Sequence, residues 1–298
     1  MELPEIEVKV ISQDHVYSND KVLYNVNNLY NERGDLQPED YKEKGKLTNT
    51  NKWIDIFHKD NYKTMVIESR ELRWMKDCLF KIGIIKREFS HLYDDELEAA
   101  CEKYKDLFPE TDVGWFIRAE SVSLKEGQHG PGPYTSMKEI IESMVSAGMG
   151  HTAFNVEDTE CKLYFMKWIE IHPDKEFRIF VHNNEITAIS TQHYPVFNKW
   201  LYDLRMNDAN NGTDHFGIMV RKILDYFKSK IKPAFTYLTD YTFDLAMVGE
   251  SGDETPYFIE PNGFGGDYPA GSALFHWYYD QDTLYDSSSI EFRYVGEH

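Results

Sequence analysis

An aspartate, a glutamate and an asparagine late in the chain are the residue types from which a hard cation site is made. They are Asp244 in "YTFDLAMV", and Glu260 and Asn262 in "YFIEPNGFGG". Both stretches read as strands, and side chains alternate along a strand, so Glu260 and Asn262 share a face. "GESGDET" between them supplies the turn of a hairpin. With that turn centred on Gly252, Asp244 and Glu260 are equidistant from it and stand opposite each other in the ladder. Flanked by Phe243, Leu245, Phe258 and Ile259, the two carboxylates are half buried and repel. A shared proton, a basic neighbour or a divalent cation relieves such a pair, and oxygen donors of this kind suit magnesium. Asn262 adds a neutral oxygen, which a proton-sharing pair does not need. The competing reading is a slipped hairpin with solvated acids. Gly263, Gly265 and Gly266 fit a plain turn.

The elements that must position these residues are mixed. Residues 1 to about 50 are polar and Asn-rich, with Val8–Ile11 as a short strand and "NERGDLQPEDYKEKGK" as a solvated loop. Glu71–Ile82 and Asp94–Phe108 read as helices, the second opening on acids that suit the positive end of its dipole. Trp115–Arg118 reads as a strand, followed by a loop containing the Gly/Pro-rich "GQHGPGPY". Ser136 and Glu139 form a capping-box pair, and Met137, Ile140, Ile141, Met144 and Val145 follow as one apolar stripe. "CKLYFMKWIEI" is a strand and "EFRIFVHNNEITAISTQ" a hairpin turned by Asn183-Asn184. Gly217–Lys230 is another helix. Helices interspersed with hairpins, without regular βαβ units, predict an α+β fold.

Composition sets limits. With 41% hydrophobic residues the chain supports a real core and is not a disordered segment. A net charge of -19 works against DNA and anionic membrane surfaces. Cys78, Cys101 and Cys161 lack metal-site spacing and even pairing, which fits free thiols in a reducing compartment. "MELPEIEVKV" has no signal-peptide apolar run, and no stretch approaches a membrane span, so a cytoplasmic protein is expected.

Three segments, "YFMKWIEIHPDKEFRIFVHNNEITAIS", "YTFDLAMV" and "YFIEPNGFGG", in this order and spacing resemble the cell division cycle protein 123 family, a divergent branch of the ATP-grasp superfamily. "FIRAESVSLKE" and "WIDIFHKDNYKTMVIES" resemble earlier parts of the same family. The resemblance spans about residues 53–280. It implies an ATP-grasp fold, two α+β lobes clasping ATP and Mg²⁺. The lobes then fall at 51–160 and 161–298, after an N-terminal extension at 1–50. Carried over position by position, it implies that Lys167, Trp168 and Ile169 meet the adenine. Arg118 and Arg178 become phosphate contacts and the catalytic cations, planar guanidiniums suiting phosphate oxygens. Asp244, Glu260 and Asn262 become the Mg²⁺ ligands. Departures from the family pattern are Arg118 in place of its lysine, Glu260 in place of its aspartate, and Gln192-His193 in place of its Gln-Arg. Glu176, two residues from Arg178 on one strand face, is a candidate to orient it.

Such a site implies an ATP-dependent ligase or, if the family likeness is complete, an ATP-dependent assembly chaperone for a translation initiation factor. An RNA ligase joining RNA ends is the alternative, and a module in which ATP is only a structural ligand is a third reading. An RNA ligase calls for a basic track. Here 32 basic residues face 51 acidic ones, and only "KIGIIKR" and "RKILDYFKSKIK" are basic clusters. Asp244→Ala and Asn262→Ala are both expected to remove Mg²⁺-dependent ATP binding with little loss of fold.

Overall fold

The computed structural model describes residues 5–25, 38–250, 252–268 and 270–297. Its strands, in chain order, are β1 (Glu5–Ile11), β2 (Tyr62–Ile67), β3 (Trp115–Arg118), β4 (Cys161–Lys167), β5 (Glu176–His182), β6 (Glu185–Thr191), β7 (Tyr241–Val248), β8 (Thr255–Asn262) and β9 (Ser289–Val295). The chain divides into two compact units, residues 49–170 and residues 1–48 with 171–298. No helix among the described residues is long and apolar enough to cross a membrane.

Residues 49–170 contain an antiparallel sheet ordered β2-β4-β3 among the described residues. One face of it, with Met65, Ile67, Leu163, Phe165 and Ile117, packs on the helices Ser69–Cys78, Asp94–Tyr104 and Met137–Met144. The predicted stripe of the last helix supplies Met137, Ile140, Ile141, Met144 and Val145 to that core. The Ser136–Glu139 capping box is formed in both directions, which fixes where this helix starts. The first helix ends in a π-helical turn, Leu79–Gly83, where a Cβ on Gly83 would meet the Val145 carbonyl.

The other unit holds a sheet ordered β1-β9-β6-β5-β7-β8 among the described residues. β9 runs parallel to both β1 and β6, and the remaining pairs are antiparallel. Phe177, Phe292, Phe243 and Phe258 point to one face and meet Trp200, Phe216, Phe227 and Phe235. These come from the helix Lys199–Asn211, the helix His215–Tyr226 and the segment that follows it. Strand alternation therefore commits the other set of side chains to the opposite face. The predicted Asn183-Asn184 turn is present, both residues having positive φ as a tight hairpin requires. At the edge, β8 carries Pro256 and Pro261, which have no N–H to offer another strand.

Several expectations are corrected here. The division falls at 48/49 and 170/171, not at 50/51 and 160/161. β4 pairs between β2 and β3, which places it with residues 49–170, and β1 pairs with β9, which draws the N-terminal residues into the C-terminal sheet. The residues after Asp280, which the sequence does not mark as a strand, contain β9, buried between β1 and β6. Lys199–Asn211 is an unforeseen helix, and its weak amphipathicity explains why periodicity did not reveal it. Part of the expected loop at 31–46 lies outside the described residues, and Tyr41–Gly45 is a helical turn.

Candidate functional site

One row of paired residues crosses the larger sheet: Lys9, Arg293, Ser190, Arg178, Asp244 and Glu260. Its β7–β8 portion depends on a bulge. From Val248↔Thr255 to Leu245↔Phe258 the register is regular, and continued unchanged it would set Asp244 opposite Ile259. The register shifts between Asp244 and Leu245, so Asp244 pairs with Glu260 and Thr242 with Asn262. The extra residue turns both polar side chains of β8 to the face that carries Asp244. The expected opposition of the two carboxylates is therefore present, through a bulge instead of a turn centred on Gly252.

A basic neighbour, one of the three ways to relieve that opposition, is in place. Arg178 lies on β5 directly across from Asp244. Its Nε donates to Asp244 Oδ1 at 2.8 Å and its Nη2 to Oδ2 at 2.7 Å. Its Nη1 donates to the carbonyl of Gly271. Asp244 is 1% exposed and Arg178 6%, so the pair is buried. Burial presses Arg178 toward its neutral form, but the carboxylates of Asp244, Glu260 and Glu176 outweigh it and raise its pKa. Asn262 Nδ2 donates to Asp244 Oδ2 at 3.3 Å, and Gln192 Nε2 to the same oxygen at 3.5 Å. Glu260 and Asn262 are half-buried at the edge. Glu176 contributes field to Arg178, while the bidentate partner is Asp244. Three carboxylates against one guanidinium leave the cluster net negative.

The segment after β8 is fastened across this face. Leu274 N donates to Ser190 Oγ at 3.0 Å, and Arg293 Nη1 to the Leu274 carbonyl at 2.9 Å. Arg293 also pairs with Asp280 at 2.6 Å, and Phe275 and Trp277 pack on Phe180.

The remaining expected site residues lie in residues 49–170. Arg118 ends β3, is 3% exposed, and stands 5.1 Å from the Trp53 ring with Nε 3.4 Å from Thr50 Oγ1. Lys167 ends β4 and is exposed, and its N–H donates to the Asn61 carbonyl. Trp168 and Ile169 follow it half-buried, Trp168 N donating to the Gly114 carbonyl. The structure thus gathers Arg178, Asp244, Glu260 and Asn262, while Arg118, Lys167, Trp168 and Ile169 belong to the other unit. His193, in place of the family's arginine, is exposed, 3.8 Å from Asp174. "GQHGPGPY" is stapled to the neighbouring helix: Gln128 N donates to Ser146 Oγ, and His129 pairs with Glu142 at 2.6 Å. Five cations of the two basic clusters pair with carboxylates. Lys81, Lys86 and Arg87 face Asp77, Glu88 and Glu126; Arg221 and Lys232 face Asp214 and Glu185. The Gly271 carbonyl, third acceptor of Arg178, could not have been anticipated, being 93 residues away with no motif of its own.

Among the described residues no three His, Cys, Asp or Glu side chains form a metal-holding group. The cluster at Asp244 has two carboxylates and an amide, a donor set that fits a hard divalent cation completing its shell from water and phosphate. The Asn262 NH₂ now faces Asp244, so a cation shared by both requires that amide turned over.

A mixed α+β chain of two units, one built on a sheet with this carboxylate–guanidinium row, is the class that emerges. The family model described as D123 matches residues 139–298, more than half of the chain, and the chain belongs to that family. Its fold is similar to that of Cdc123 from Schizosaccharomyces pombe, with a TM-score of 0.56 at 16% identity, covering 86% of this chain and 98% of that one. C-terminally truncated Cdc123 from the same organism gives 0.57 at 15% identity, with the same coverage. A search of curated proteins gives no match.

Proposed function

We propose that this chain is a Mg-ATP-binding protein of the ATP-grasp type that uses the nucleotide as a ligase-type enzyme or as an assembly chaperone for a translation initiation factor. The observation that carries the reading is the bulge-set opposition of Asp244 and Glu260, with Asn262 on the same face. Asp244, Glu260 and Asn262 would hold Mg²⁺, which when bound neutralises phosphate charge and orients the triphosphate. Arg178 fixes the Asp244 carboxylate in direction, because the Nε–Nη2 edge of its guanidinium meets both carboxylate oxygens. Lys167, Trp168 and Ile169 are assigned to the adenine, with backbone for the base edge and an apolar wall for the ring. Arg118 is assigned to phosphate. The net charge of -19 works against the RNA-ligase alternative, which calls for a basic track.

Calorimetric titration with ATP, with and without Mg²⁺, tests the assignment. Glu260→Gln and Asn262→Ala, at half-buried positions, are expected to abolish the Mg²⁺-dependent part of binding while melting like the parent. Unchanged affinity in both sinks the metal assignment. Incubation with labelled ATP and nicked RNA or small acids then sorts the activity. AMP with sealed RNA means an RNA ligase, ADP means acyl-phosphate ligation, and binding without turnover favours the chaperone.

A further inference from the structure

The glycine-rich loop after Asn262 folds back on itself and is gripped from far away in sequence. A Cβ on Gly263 would lie 3.1 Å from Tyr268 Cβ and 3.3 Å from its carbonyl oxygen. Tyr268 therefore packs on the residue that follows Asn262. The side chain of Tyr268 is held by the segment 38–48. Lys44 Nζ donates to the Tyr268 hydroxyl at 2.6 Å and stands 4.1 Å from the ring centroid. That hydroxyl donates to Asp40 Oδ1 at 2.8 Å, Asp40 pairs with Lys44 at 3.2 Å, and the Tyr41 ring stacks on Tyr268. The turn Lys46–Thr48 packs against β8 itself. A lysine-bearing segment is thus seated along the edge strand that carries Glu260 and Asn262.

Charge gives this seating a consequence. Asp244, Glu260 and Glu176 all act on the single guanidinium of Arg178, so the cluster as a whole is net negative toward an anion. A further cation on the protein is needed beside the metal. Lys44 stands on the loop leading away from Asn262, and its side chain is 49% exposed, so a ligand can reach its ammonium. Exposed contacts such as those to Tyr268 and Asp40 exchange at little cost.

We propose that Lys44 is an anion-binding residue of this site, meeting the polyphosphate of a bound nucleotide at the Gly263–Tyr268 loop. Asp40 and Tyr268 hold its ammonium there until the ligand takes over. The assignment rests on the Mg-ATP reading above, and it makes the segment 38–48 part of the site. The test is titration of the full chain with Mg-ATP at several salt concentrations, for the parent, Lys44→Ala and Lys44→Arg. Loss of a charge-assisted contact is expected to weaken binding about tenfold in Lys44→Ala. The gap should narrow as salt rises, and Lys44→Arg should restore most of the affinity. If the parent binds and Lys44→Ala binds equally well, the assignment is overturned and the Mg-ATP reading stands. A gap that ignores salt and is not rescued by arginine has the same meaning, since it reports a structural role. If the parent does not bind Mg-ATP, both readings fall.

Discussion

Replacing Asp244 with alanine would leave the Arg178 guanidinium, 6% exposed, without the carboxylate that takes two of its hydrogen bonds. Breaking a buried ion pair from one side typically costs about 3–5 kcal/mol, because the surviving charge stays buried. Glu260 and Glu176 still attract Arg178, which puts the expected cost at the lower end, about 3 kcal/mol. For a unit the size of residues 1–48 with 171–298, each kcal/mol moves the melting temperature by about 2–4 °C, so a fall of about 6–12 °C is expected. Scanning calorimetry measures it directly. The double variant Arg178→Met, Asp244→Leu should recover most of the loss, since apolar side chains of similar size are tolerated where a buried pair stood. A Tm for Asp244→Ala within about 1 °C of the parent, or a double variant no better than the single, would refute the buried pair. The same geometry corrects an expectation from the sequence. Asp244→Ala is not a mild probe of ligand binding, and Glu260 and Asn262 are the positions to use.

Two further outcomes follow from contacts elsewhere. In Gly83→Ala the new Cβ would fall 1.7 Å from the backbone oxygen of Val145. The π-helical turn must shift, and a loss of about 3 kcal/mol is expected in denaturant unfolding; a parent-like midpoint would contradict the close approach. Asp208 accepts the N–H groups of Phe216 and His215 at 2.8 and 2.9 Å and the Thr213 hydroxyl at 2.7 Å. Burial pushes its carboxyl up, but these donors outweigh it and hold it well below the usual range. Because the folded value lies below the unfolded one, this stabilisation is complete above about pH 4 and is lost as pH falls further. Unfolding of the parent and Asp208→Asn across that range should show their difference shrinking toward acid; a difference independent of pH would exclude the linkage.

Local chemistry was legible because short-range rules decide it. Ser136 and Glu139 are three residues apart and cap each other whatever surrounds them. Asn183-Asn184 tolerates the positive φ of a tight hairpin, and the acids of β7 and β8 announced a shared face. Long-range pairing was not legible. β9 is not evident from its own residues, because Glu291 and Arg293, which pair with each other, are buried with the further help of Lys9 on β1 and Asp280. Glu176 is two residues from Arg178, yet Arg178 turns to Asp244, because the neighbouring strand sets that carboxylate directly across.

By itself the sequence determined the α+β class, the family and the residue types at the end of the last hairpin. Tertiary structure alone decided that a bulge, and not the turn, brings Glu260 opposite Asp244. It decided that a guanidinium 66 residues away in sequence answers Asp244, and that Lys44, 224 residues from Tyr268, reaches the loop beyond Asn262. The physical reason is that side-chain type and local spacing are written in the chain. Register shifts and strand order, in contrast, follow from the packing of the whole sheet.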